Sequence, residues 1–218
     1  SFKPDMVWQK CRSTAYQNNV WDSVRGVTST LVTNGTYAEN PSGPSDFSSF
    51  NSNGFTVNQS ANYELSHNGS TYVAWQWQAG QGTTSSNTSG SITSTVSVNT
   101  TAGFSIVTYT GSGSAGTVTH GLGVAPAMMI IKTRNAVNGW IVYHKSLASP
   151  NNSYMVLNST TAVTTPDTTT WNNTAPTSSV FSVGSGVNTN QNTTTYVAYC
   201  WAEIAGFSKF GSYTGNGS

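Results

Sequence analysis

The side chains able to do acid–base chemistry are few: Asp5, Asp22, Glu39, Asp46, Glu64, Asp167 and Glu203, with His67, His120 and His144. Glycoside hydrolysis needs two carboxylates about 5 to 9.5 Å apart across the scissile bond. No pair of these acids falls in a recognisable glycosidase motif, although a single site built from Glu64 and Asp46 stays open. The histidines lack His-x-x-x-His spacing, and Cys11 and Cys200 form no Cys-x-x-Cys pair, so a zinc site is not expected. His120 runs into Gly121-Leu122-Gly123 and reads as a strand-ending turn. There is no Gly-x-Ser-x-Gly elbow and no phosphate-cradling loop. The expectation is no catalytic residue, no cofactor and no metal site; the acids are too sparse to point to a calcium cage.

Aromatic residues carry the one binding argument. Sugars lay their C–H faces on exposed Trp or Tyr rings while amides bond the hydroxyls. Trp21, Trp140 and Trp171 stand beside turn-like stretches rich in Asn: Asn18-Asn19, Asn138-Gly139 and Asn172-Asn173. These three are the candidate glycan-binding residues. The competing reading of each is a lid on the core.

The elements that must position these groups are strands. Good helix formers are scarce, and Thr, Val, Tyr and Trp dominate the apolar stretches. Gly, Asn, Ser and Pro interrupt them every ten residues or so, the spacing of a β-sandwich or barrel. Two stretches recur. Thr71-Tyr72-Val73-Ala74-Trp75-Gln76-Trp77 returns as Thr195-Tyr196-Val197-Ala198-Tyr199-Cys200-Trp201. Upstream, Pro4-Asp5-Met6-Val7-Trp8-Gln9-Lys10-Cys11-Arg12 answers to Pro126-Ala127-Met128-Met129-Ile130-Ile131-Lys132-Thr133-Arg134. Residues 5–10 and 127–132 are apolar on both faces and read as central strands. Residues 18–26 and 139–146 make a second matched pair, and 54–57 with 180–183 a third. Alternation puts Val73, Trp75 and Trp77 on one face, assigned to the core, as are Val197, Tyr199 and Trp201. No acid recurs at a matched position: Asp5 meets Ala127 and Asp22 roughly Tyr143. A duplicated active site is excluded on that ground.

Between the copies, residues 34–54 read as a long loop and 80–91 as a flexible linker. Ile92, Val96 and Val98 then alternate with Ser and Thr as an edge-like strand. A head follows, Gly103-Phe104-Ser105-Ile106-Val107-Thr108-Tyr109-Thr110-Gly111-Ser112-Gly113-Ser114. A variant of it closes the sequence: Gly206-Phe207-Ser208-Lys209-Phe210-Gly211-Ser212-Tyr213-Thr214-Gly215-Asn216-Gly217-Ser218. The organisation expected is therefore a unit over 1–80 without a head, a linker with an edge strand over 81–102, a headed unit over 103–205, and a spare head over 206–218. A slice of a longer tandem array explains that order. So does a head donated as a strand to the first unit, in this subunit or a neighbour.

Charged residues are only 7% of the chain and the net charge is +1, with no basic run. Phosphate neutralisation needs clustered Lys and Arg, so nucleic acid is not an expected partner. No stretch approaches the roughly 20 apolar residues of a membrane helix. The two cysteines differ from their matched positions, Thr133 and Gln76, and read as buried free thiols.

The combined pattern of head, His120-to-Met128 stretch, Lys132-Thr133-Arg134 and Tyr196-to-Trp201 strand resembles a repeat domain of virion structural proteins from marine bacteriophages of the cyanophage type. The resemblance covers most of 103–218, and 1–80 without the head. It implies an all-β fold of two tandem antiparallel jelly-roll units, concanavalin A-like sandwiches of lectin-like shape. It also implies a non-enzymatic role as a tail-fibre or capsid-surface component of the virion, among other virion proteins. It carries over no catalytic residues. A homo-oligomer is expected, since virion parts are symmetric, and a host-surface glycan is a candidate partner. The rival readings are a carbohydrate-binding module of a secreted or cell-surface protein and a glycan-cleaving tailspike fragment.

Overall fold

The structure is a computed structural model, and it describes residues 2–40, 47–58 and 65–217. In chain order the strands are Met6–Cys11 (β1), Asn18–Asp22 (β2), Leu31–Val32 (β3), Phe47–Asn51 (β4), Gly54–Val57 (β5), Tyr72–Trp77 (β6), Ser85–Asn87 (β7) and Ser94–Asn99 (β8). They continue with Phe104–Thr110 (β9), Gly116–Thr119 (β10), Met128–Thr133 (β11), Ile141–His144 (β12), Met155–Val156 (β13), Val180–Val183 (β14) and Thr195–Trp201 (β15). The one α-helix among the described residues is Val187–Asn190 (α1), four residues long. The all-β expectation holds for the physical reason given: β-branched and aromatic residues fill a half-buried pleat better than a helix face.

Two antiparallel sheets repeat one plan. The first has the order β3-β2-β1-β6; the second, β13-β12-β11-β15-β9-β8-β7, contains the same arrangement and extends it. The register repeats as well. Met6 lies opposite Trp77 and Cys11 opposite Tyr72, while Met128 lies opposite Trp201 and Thr133 opposite Tyr196. Both central strands are flanked on two sides, as their apolar faces require. On the other flank Met6 faces Asp22 and Met128 faces His144. Asp22 therefore corresponds to His144, one place from the expected Tyr143, and Trp21 corresponds to Tyr143.

The sheets stack on one another. Met6, Val20 and Leu31 of the first share a core with Phe104, Ile130, Val142, Tyr199 and Trp201 of the second. The Trp77 ring sits 5.6 Å from Trp201 and 6.1 Å from Phe104. Behind the second sheet, the β10–β14 pair closes another core around Val107, Tyr109, Phe181 and Trp171. Behind the first, β4–β5 covers Val7, Trp21 and Phe47.

Three expectations change. Residues 80–91 are not a flexible linker: β7 lies in them, pairs with β8, and β8 pairs with β9, so β8 is internal to the sheet. Alternating Ser, Thr and Val supplies a ladder there, and ladder hydrogen bonds outweigh a composition that looks loose. The loop read over 34–54 contains β4, because Phe47 stacks on Trp21 at 5.0 Å and on Phe55 at 5.7 Å. The core face assigned to β6 is only partly buried. Trp77 packs between the sheets, but Trp75 remains 47% exposed. The matched Tyr199 is wholly buried because the Arg25 turn covers it.

Candidate functional site

The structure removes the three expected glycan-stacking residues from the surface. Trp21, Trp140 and Trp171 are at most 1% exposed. Each indole Nε1 donates inward: Trp21 to Thr30 Oγ1 at 2.8 Å, Trp140 to the Val32 carbonyl at 2.8 Å, Trp171 to the Ser153 carbonyl at 2.9 Å. A large ring beside an Asn-rich turn gains more by closing the core than by facing water. They are lids, and no sugar can stack on them.

The carboxylates are likewise engaged. Asp5 is buried and accepts from the Ser23 hydroxyl and from the backbone N–H groups of Ala79, Gln81 and Gly82. It closes the turn after β6 onto the start of β1. Asp167 accepts from Thr169 N–H and Thr170 N–H, and Glu203 pairs with Lys145 at 2.6 Å. Glu64 and Asp46, named as a conceivable pair, lie outside the described residues. Among the described residues no group of three His, Cys, Asp or Glu side chains could hold a metal ion. His120 is buried, with ring contacts to the Thr177 carbonyl and the Leu122 N–H, and burial lowers its pKa. It ends a strand, as expected. Cys11 and Cys200 are both buried and free, and burial pushes the Cys200 thiol up to about 12.

The densest polar cluster is a seam between the halves. The Arg25 guanidinium is buried and donates to Asp22 Oδ2, Glu39 Oε2, the Ser29 and Val20 carbonyls, and Tyr199 Oη at 3.1 Å. Tyr199 in turn donates to Asp22 Oδ2 at 2.6 Å. Glu39 also accepts from Arg134 at 2.8 and 2.9 Å. Burial opposes the Arg25 charge, but Asp22, Tyr199 and Glu39 outweigh it and hold the group protonated. Burial also works against the Glu39 carboxylate, yet Arg134 and Arg25 keep its pKa below the usual range. Every donor of the guanidinium is used, which leaves nothing to offer a substrate; the cluster fixes how the sheets face each other.

One polar cleft is assembled from residues of both halves. Trp8 and Trp75 are cross-strand partners with ring centroids 5.8 Å apart. Trp8 borders a cleft of about 370 Å³ lined also by Asn18, Thr33, Asn34 and by Leu157, Asn158, Ser159 and Thr160 of the other half. No charged side chain lines it. The buried Asn18 Oδ1 accepts no hydrogen bond from the protein, and such an acceptor calls for an explanation. A partly exposed Trp8 indole beside amides and hydroxyls, with the exposed Trp75 ring next to it, suits a neutral, polyhydroxylated ligand. Sequence reading assigned Trp75 to the core and Trp8 to a central strand. The available signal was the replacement of Tyr199 by Trp75 in a matched pair, which marks a different environment.

A family model described as a domain of unknown function, DUF7483, matches residues 1–218. The chain belongs to this family. The family match spans both halves, so they make up one family unit despite their internal repeat. Neither a curated protein nor a solved structure matches the chain.

Proposed function

We propose that this DUF7483 chain is a non-enzymatic structural protein of a bacteriophage virion, at the particle surface as a tail-fibre or capsid component. The observation that carries the reading is the repeated register of β1 against β6 and β11 against β15. It is the mark of a module built by repetition, as the resemblance to virion repeat domains implies. We read the two sheets with their covering strand pairs as jelly-roll-like repeats. Supporting it are the low charge content of 7% and a set of described carboxylates engaged in holding turns, tails and the seam. Antibodies to the chain should decorate intact particles in electron microscopy and mark one location. Purified particles whose peptides lack this sequence would overturn the reading.

A second role rests on the cleft beside Trp8 and Trp75: host-surface glycan binding, either on the particle or in a carbohydrate-binding module of a secreted protein. A glycan array should give hits that Trp75→Ala weakens at least tenfold. Signal unchanged by that substitution would count against the cleft.

A further inference from the structure

We propose that the cleft beside Trp8 takes an N-acetylated amino sugar, with the side-chain amides of Asn34 and Asn158 as the donors that recognise its acetamido carbonyl. The inference rests on the glycan reading of that cleft and names the class of sugar.

The two donors are fixed by the fold. Asn34 Oδ1 accepts the Asn18 backbone N–H at 2.8 Å, and Asn158 Oδ1 accepts the Trp140 backbone N–H at 2.9 Å. An amide whose oxygen is held by a backbone donor does not turn over, because its Nδ2 would then meet an N–H. Each Nδ2 is directed away from the backbone that holds its oxygen, and neither has a protein partner among the described residues. Asn34 lies just past β3 on the wall from the first half, and Asn158 just past β13 on the wall from the second. Trp140 ties the walls together. Its backbone N–H holds Asn158, while its buried ring donates across to the Val32 carbonyl, at the end of β3 that leads into Asn34.

The remaining surface is apolar or an acceptor. Trp8 Nε1 donates to Thr33 Oγ1 at 2.9 Å, and Thr33 Oγ1 donates to the Asn18 carbonyl at 3.3 Å. The indole is thereby held by its polar edge, which leaves ring carbon to border the cleft. Leu157 adds exposed apolar surface beside Asn158. Asn18 Oδ1 is buried and takes no hydrogen bond from the protein. Trp8 packs toward the core between the sheets. Its neighbour Val7 points the other way and packs with Trp21, Phe47 and Leu65, so the cover of the first sheet lies on the face away from the cleft.

These groups select a ligand by elimination. No charged side chain lines the cleft, so a carboxylate or sulfate would exchange its hydration for uncharged donors alone. A plain hydroxyl meets an amide N–H but has no methyl to lay on Trp8 or Leu157. An acetamido group answers each feature. Its carbonyl oxygen has two lone pairs for amide N–H groups, its N–H is a donor for Asn18 Oδ1, and its methyl is apolar. A volume of about 370 Å³ is near the lower bound of small-molecule sites and suits a single sugar residue of a chain.

The test titrates the whole chain with chitobiose and with cellobiose, β-linked disaccharides that differ in their acetamido groups. Chitobiose should bind at least about tenfold tighter. Asn34→Asp and Asn158→Asp each keep the oxygen that accepts the backbone N–H, so the fold is retained while the donor becomes an acceptor. Each should remove that preference, with thermal unfolding checked alongside. A preference that survives both changes would place recognition elsewhere and overturn the proposal. Equal binding of the two sugars, both weakened by Trp75→Ala, would overturn the acetamido assignment and leave the glycan reading standing. Neither sugar bound, by a chain whose glycan-array hits lack acetamido groups, would do the same. An empty array would sink both.

Discussion

The two halves begin from one plan and differ at one edge. In the second half β15 is flanked by β11 and β9, and both of its faces are covered. In the first half β6 has one neighbour among the described residues, and Trp75 stands at the surface. The same Thr-Tyr-Val-Ala motif thus gives a central strand in one setting and, among the described residues, an edge in the other. The motif sets pairing with the strand before it; in the second half the head, as β9, continues the sheet.

Breaking what the halves share should have the largest effect. Arg25→Met leaves Asp22 buried without its cation, Glu39 with Arg134 alone, and Tyr199 without a donor. A loss on the order of 3–5 kcal/mol is expected in urea unfolding. If the seam is what makes the halves fold together, the single transition should also split in two. Next is the packed tyrosine of the head against its exposed match in the tail. Tyr109→Ala should cost about 3–4 kcal/mol, since it vacates a ring contacted by Tyr196 and Phe181. Tyr213→Ala, the matched change in the tail, should move the monomer's stability by less than about 0.5 kcal/mol. Equal effects would end the comparison.

Lys132 sharpens it by pH. Its Nζ donates to the Thr36 carbonyl of the first half and to the Thr133 carbonyl and hydroxyl. Burial lowers its pKa from 10.5 to about 8. Below pH 8 folded and unfolded chains both hold the proton, and the burial cost is carried in full. Between about 8 and 10.5 the unfolded chain keeps a proton the folded chain has released, so this group makes stability rise with pH. Buried Cys200, Tyr109 and Tyr199, whose pKa values are raised, act the opposite way. The quantity to measure is therefore the stability gap between the parent and Lys132→Met, which should shift by on the order of 1–3 kcal/mol between pH 7.5 and 10. A gap independent of pH would show that the ammonium is solvated. The smallest effect belongs to Trp75→Ala: half its surface already faces water, so it should cost under about 1.5 kcal/mol while weakening any glycan binding.

Much of the architecture was legible because strands announce themselves by alternation. The matched runs 5–10 with 127–132 and 71–77 with 195–201 became β1, β11, β6 and β15 within a residue or so. The free buried thiols and the strand-ending His120 followed from composition and local motif. The binding residues did not follow. Trp21, Trp140 and Trp171 sit near Asn-rich turns, but adjacency in sequence says nothing about which side of a sheet a ring occupies or what lies above it. Polarity misled in the same way at 80–91, where β7 forms because β8 offers it a ladder.

By itself the sequence determined the all-β class, the internal repeat and which runs become β1, β6, β11 and β15, because these depend on period-two patterning. Only the tertiary structure decided that the sheets stack through Trp77 and Trp201, that Arg25 joins Asp22 and Glu39 to Tyr199 at a distance of 174 residues along the chain, and that Trp8 and Trp75 reach the surface. Burial is a property of what lies above a face, and that neighbour comes from the other half of the chain.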